Sequence, residues 1–145
     1  MTDRTGRCLC GAVTFKVSGE PISSRICWCR DCQHVSANGT VNAVFPAEAF
    51  QVQGQLTEYT RVADSGNTIA RLFCPTCGGH VYGHTSSRPQ LRVIRVGALD
   101  DPSSIAPRQN IWTSSAPGWA CLDPDIEQVS AQPAPPPPKP SQEVR

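Results

Sequence analysis

Seven of the eight cysteines in this chain fall into three short clusters: Cys8-Leu-Cys10, Cys27-Trp-Cys29-Arg-Asp-Cys32 and Cys74-Pro-Thr-Cys77-Gly-Gly. Only Cys121 stands apart. Spacings of one or two residues let neighbouring thiolates grip a single metal ion, and zinc favours tetrahedral sulfur sets. Disulfides are a poor match, because a bridge between such close neighbours is strained. Four cysteines close one structural site, and three leave a second with an open position, as a catalytic metal requires. The expected cofactor is zinc, two ions per chain.

At 145 residues the chain reads as one domain, large enough to bury roughly two-thirds of its unfolded surface. A net charge of +1 and an isoelectric point near 7.6 give no long-range field to steer polyanions. Basic residues are scattered, with pairs such as Arg92 and Arg95 but no basic stretch. A nucleic-acid partner is therefore not expected. The first residues, Met1 to Arg7, are polar and charged without an apolar targeting core. No apolar run is long enough to cross a bilayer, so no membrane partner is expected either. Clustered thiols available as metal ligands suit a reducing cytoplasm.

Short strands dominate the pattern. Ala12 to Val17 alternates apolar and polar residues, the period of a half-buried strand. Thr40–Phe45, Gln51-Val52, Leu56–Arg61, Thr68–Phe73 and Leu91–Val96 are further strands, rich in β-branched and aromatic residues. Turn signals at Ser18-Gly-Glu-Pro21, Gln53-Gly54, Asp64-Ser-Gly-Asn67, Gly78-Gly79 and Asp100-Asp-Pro102 divide them. The fold class is mainly β, an antiparallel arrangement with one or two short helices, at Arg30–Ala37 and Pro46–Phe50. The domain is expected to span residues 1–130. A proline-rich tail, 131–145, is expected to be disordered, because it can neither join a ladder nor bury a core.

On a strand, Cys8 and Cys10 would point to one face and offer two sulfurs to one ion. Cys74-Pro-Thr-Cys77-Gly78 is a zinc-knuckle pattern, with Gly78 free to take the positive φ that brings amides to the sulfurs. Joining these two clusters would tie the N-terminus to the middle of the chain, and a structural site of this kind contributes on the order of 10 kcal/mol to folding. The middle cluster differs. Three thiolates on a dication leave a formal charge of −1 and a fourth position. That position is filled either by water or a ligand thiol, or by His34, His80 or His84, which would make the site structural. Sulfur is soft and a coordinating thiol loses its proton, so an open position suits a small thiol better than hydrolytic chemistry.

Read together, these clusters resemble the glutathione-dependent formaldehyde-activating enzyme family, which includes centromere protein V. The resemblance runs through Gly6-Arg7-Cys8-Leu9-Cys10-Gly11-Ala12-Val13-Thr14-Phe15, Cys27-Trp28-Cys29-Arg30-Asp31-Cys32-Gln33, Phe45-Pro46-Ala47-Glu48-Ala49-Phe50 and Arg71 to Gly79. It extends to Val96-Gly97-Ala98-Leu99-Asp100-Asp101-Pro102 and Ile111-Trp112-Thr113-Ser114, covering about residues 6–129. It implies an Mss4-like fold of coiled antiparallel sheets with zinc knuckles. It implies a structural zinc on Cys8, Cys10, Cys74 and Cys77, and a catalytic zinc on Cys27, Cys29 and Cys32. The implied activity is that of a carbon–sulfur lyase acting on the adduct of glutathione and formaldehyde. The family usually has His between the first two cysteines of the middle cluster. Here it is Trp28, whose indole donates but cannot accept a proton.

Beside that resemblance, Arg30 can pair with a carboxylate of glutathione or with Asp31. His34 is either a base near the metal or a surface residue of a short helix. Trp112 and Trp119 either line a pocket or pack in the core, core packing being expected, and Cys121 is expected to be a buried free thiol. Two functions follow. One is a zinc-dependent lyase with glutathione or a related small thiol as partner. The other is a non-catalytic, zinc-stabilised protein-binding module.

Overall fold

The computed structural model describes residues 2–63 and 65–134. Eleven strands lie among them: β1 (Asp3–Arg7), β2 (Thr14–Ser18), β3 (Ser23–Cys27), β4 (Thr40–Pro46), β5 (Phe50–Gln53), β6 (Thr57–Val62), β7 (Thr68–Phe73), β8 (His80–Thr85), β9 (Leu91–Arg95), β10 (Gln109–Ile111) and β11 (Glu127–Val129). One α-helix, α1 (Arg30–Ser36), follows β3. The mainly β class stands. The turn at Ala47–Ala49 is 3-10 rather than α, and the proline run from residue 135 lies outside the described residues.

The strands form two sheets. The smaller has the order β1-β2-β5, and the larger β11-β10-β3-β4-β9-β8-β7-β6. They enclose the main core. On β2 the alternation of Thr14-Phe15-Lys16-Val17 turns Phe15 and Val17 inward. These meet Ala43 and Phe45 of β4, Val81 of β8 and Ile94 of β9 in the main apolar cluster. Phe50 bridges the sheets, with ring centroids 5.5 Å from Phe15 and 4.7 Å from Tyr82. Both arrangements are tilted, the geometry aromatic pairs prefer.

Pairing is antiparallel with one exception. β10 runs parallel to both β3 and β11. Residues 28–108 separate β3 from β10 and residues 112–126 separate β10 from β11, so both parallel pairs have the long connection they require. The expected antiparallel arrangement holds for the other pairs of named strands among the described residues, and β10 is the departure from it.

The register divides the larger sheet into two faces. Ser24 pairs with Ala43, and Ala43 with Ile94, on the core side. On the opposite face Cys27 pairs with Thr40, Arg25 with Asn42, and Asn42 with Arg95. Helix α1 sits against β4 at one end of that second face. No helix among the described residues is long and apolar enough to cross a membrane.

Candidate metal centres

The first centre is built from two tight turns. Cys8 and Cys10 follow β1 in a turn, not on a strand as the spacing suggested. The amide of Cys8 donates to the carbonyl of Val13, and Gly11, at φ +83°, donates back to the Cys8 carbonyl. A turn this closed has no ladder partner to offer, and it still converges the two sulfurs. Cys74 and Cys77 lie in the β7–β8 connection, where the Gly78 amide donates to the Cys74 carbonyl and Gly78 takes φ +74°.

The four Sγ atoms lie within 4.8 Å of one another. The Cys8–Cys10 and Cys10–Cys74 separations are each 3.7 Å. A tetrahedral zinc with Zn–S bonds of about 2.3 Å holds its sulfurs about 3.8 Å apart, so the residues present fit the ion. Amides support the sulfurs: Val13 donates to Cys8, Thr76 to Cys74 and Gly79 to Cys77, at 3.3–3.4 Å. Burial alone would raise the Cys8 thiol, but the Val13 amide and the neighbouring sulfurs outweigh it and bring it down to about 6. The Ala12 amide favours the Cys10 thiolate, yet burial and the same sulfurs outweigh that and push it up to about 11.

The second centre spans the end of β3 and the start of α1. Cys27 closes the strand, Cys29 is the helix N-cap and its sulfur accepts the Cys32 amide at 3.4 Å, and Cys32 lies in the first turn. The three sulfurs lie within 4.8 Å of one another, and no fourth His, Cys, Asp or Glu among the described residues joins them. Hydrogen bonds from Cys27 and Cys29, helped by Arg95 and Thr40, bring Cys32 down to about 2 against its burial. Cys27 is pushed up by the sulfurs of Cys29 and Cys32 and by burial. Ile111, Trp112 and Val129 wall it on one side.

Trp28, between the first two ligand positions, is 4 % exposed and donates its indole N–H to Asn110 Oδ1. Gly39 makes room for it, since a Cβ there would stand 2.8 Å from the indole. Gln33 then locks the helix in place, its amide donating to the carbonyls of Trp28 and Ser115 at 2.7 and 3.0 Å.

The other sequence candidates separate. Arg30 is exposed and donates to Gln33 Oε1 at 2.6 Å, while Asp31 pairs with Arg61 at 2.9 Å and Arg71 at 3.7 Å. His34 is exposed on α1; His84 lies 3.5 Å from Glu58; His80 keeps a buried Nδ1 with no partner. None of the three stands in the triad's cluster. Trp112 packs against the triad. Trp119, expected in the core, is 69 % exposed. Cys121, expected to be buried, is also exposed. Both fall in 116–126, a stretch without regular structure, which gives their side chains no sheet or helix face to pack on.

Two arginines were missed. Arg25 and Arg95 lie on the triad's face of the sheet, and burial depresses both while the triad sulfurs oppose it. Arg95 is 9 % exposed and donates to Asn42 Oδ1. It borders a cavity of about 650 Å³ that reaches from Thr40 to Cys8 of the first centre. The available signal was positional: Arg25 precedes Cys27 by two residues on one strand, which sets both on one face.

Comparison with known proteins agrees with this geometry. The family described as glutathione-dependent formaldehyde-activating enzyme matches residues 3–115. A crystal structure of a Rhodobacter sphaeroides protein superposes with a TM-score of 0.55 at 25% identity, over 72% of this chain and 92% of that one.

Proposed function

The chain belongs to the glutathione-dependent formaldehyde-activating enzyme family, and we propose on that premise that it is a zinc-dependent carbon–sulfur lyase acting on a glutathione–formaldehyde adduct or a related small thiol adduct. The observation that carries this reading is the second cysteine set, three converging sulfurs without a fourth protein ligand among the described residues. In this reading Cys8, Cys10, Cys74 and Cys77 hold a structural zinc, and Cys27, Cys29 and Cys32 hold the second. When bound there, zinc supplies a soft, electron-accepting position that favours the thiolate form of a ligand.

The chain's own residues do the rest. Arg25 and Arg95 set positive charge beside the sulfurs, which favours an anionic sulfur arriving or leaving. Ile111, Trp112 and Val129 exclude water from one side. Arg30, at the exposed start of α1, orients a carboxylate of the ligand. In the lyase direction the hydroxymethyl oxygen loses its proton to solvent, its carbon–oxygen double bond forms, and the carbon–sulfur pair departs with the thiolate. Trp28 takes no proton, because its indole is buried and already donating. Eight free cysteines fit a reducing, cytoplasmic setting.

Trp28 and the lack of a histidine at the triad favour the second reading, a zinc-stabilised module that binds a protein and performs no chemistry. Exchange between formaldehyde and glutathione, followed by NMR at equal thiol, separates the two. Wild type should accelerate exchange over the protein-free rate and Cys29→Ser should not. Equal rates in all three samples would leave the binding module.

A further inference from the structure

A second cavity, about 380 Å³, opens on the triad's own face of the larger sheet, within the size range of small-ligand sites. Three arginines border it, and they arrive from separate parts of the chain. Arg25 comes from β3, Arg88 from the turn after β8, and Arg108 from the residue before β10. Backbone bonds fix the last two: the Arg88 amide donates to Thr85 and the Arg108 amide to Ser24, at 3.2 and 2.9 Å. None of the three takes part in an ion pair among the described residues. The Nε of Arg25 is buried without a partner. The one acid on the rim, Glu127, accepts from Gln109 Nε2 at 2.8 Å. Gathering three cations around a cavity with so little compensation costs energy that an anionic ligand would recover.

Position identifies the anion. Cys27 and Arg25 alternate along β3, so they share a face about 7 Å apart. The cavity continues along that face through Ser23 and Val44. A ligand whose sulfur meets the triad therefore reaches the cavity with a group a few bonds away, and guanidinium forks match carboxylates in two-pronged fashion. We propose that Arg25, Arg88 and Arg108 form a carboxylate-binding subsite that selects the acidic end of the thiol ligand. The identity of that ligand as a thiol, and of its anion as a carboxylate, rests on the function proposed above; the cavity's preference for an anion does not.

Calorimetry with S-methylglutathione, whose sulfur carries no thiol, reads the carboxylate contacts on the metal-loaded protein, and the variants isolate the subsite among them. Wild type should bind it, and Arg88→Gln with Arg108→Gln should weaken it at least tenfold, the effect of losing charge-assisted hydrogen bonds. Melting temperature and metal content should not change, because Arg108 is exposed and Arg88 half-exposed. No binding by wild type, or equal binding by the double variant, would overturn the subsite. A second arm adds glutathione to cobalt-loaded protein and records the cobalt absorption band. A silent band beside an intact first arm would defeat the thiol reading and leave the carboxylate subsite standing.

Discussion

The two cysteine centres use the same ligand type and differ in ligand number, in reach along the chain and in the charge beside them. The first joins turns more than 60 residues apart in sequence and supplies four sulfurs held by backbone amides. The second is local, three sulfurs within six residues, with Arg25 and Arg95 beside it and a cavity opening on its face of the sheet. In the proposed reading, the complete ligand set with amide support closes a long loop and would hold the fold. The incomplete set with cations beside it would keep a position and a charge for a ligand that arrives from outside. The lesson is that the surroundings of a cysteine cluster, more than its spacing, separate structure from chemistry.

The strongest way to break that division is Cys74→Ser. Cys74 is fully buried, and a structural zinc contributes on the order of 10 kcal/mol against a net domain stability of about 5–15 kcal/mol. The variant should yield no folded protein by circular dichroism. A folded Cys74→Ser carrying both ions would end the assignment of a structural role to the first centre.

Cys29→Ser should behave differently, staying folded while elemental analysis falls from about two zinc ions per chain to about one. Loss of both ions would show that the centres are not independent.

Trp28→His returns the residue usual in the family. Because the indole is buried against Gly39 and bonded to Asn110, the change should cost about 2–3 kcal/mol in urea unfolding and leave both ions in place. A gain in exchange rate would mean that position 28 faces the reacting centre.

His80 gives a smaller, pH-dependent effect. Burial, then Arg95 and Arg71, hold its pKa below the ordinary 6.5. The unfolded chain takes up that proton near pH 6.5 and the folded chain only at lower pH, so stability present above 6.5 is lost as pH falls. Unfolding curves between pH 7.5 and 5.5 should converge for wild type and His80→Gln at the upper end. A steeper acid loss in the variant would reverse the assignment.

The smallest effect concerns the end of the domain, expected at residue 130. Hydrogen bonds continue past it, from the Trp112 amide to the Ala131 carbonyl and from the Trp112 indole to Gln132. Ending the chain after Ala134 should therefore move the melting temperature by no more than about 1 °C, whereas ending it after Ser130 should cost more. Equal melting temperatures for the two truncations would place the boundary back at 130.

The sequence by itself determined the local parts. Period-2 alternation located β2, and β-branched residues at one end with an aromatic at the other delimited β7 at Thr68–Phe73. The spacing within Cys27–Cys32 fixed an N-cap and a first helical turn whose sulfurs must converge. The pairing of Cys8 and Cys10 with the distant Cys74 and Cys77 came from the family resemblance, and the structure brings the four sulfurs together. Strands such as β1, Asp-Arg-Thr-Gly-Arg, carried no apolar alternation and were not legible; they are strands because β2 gives them a ladder. Only the tertiary structure decided that β10 runs parallel to β3, that Trp119 and Cys121 face solvent, and that Arg25, Arg88 and Arg108 meet around one cavity. Spacing encodes which side chains share a short element. Burial and the balance of charge depend on register between elements far apart in the chain, and local periodicity carries no record of that.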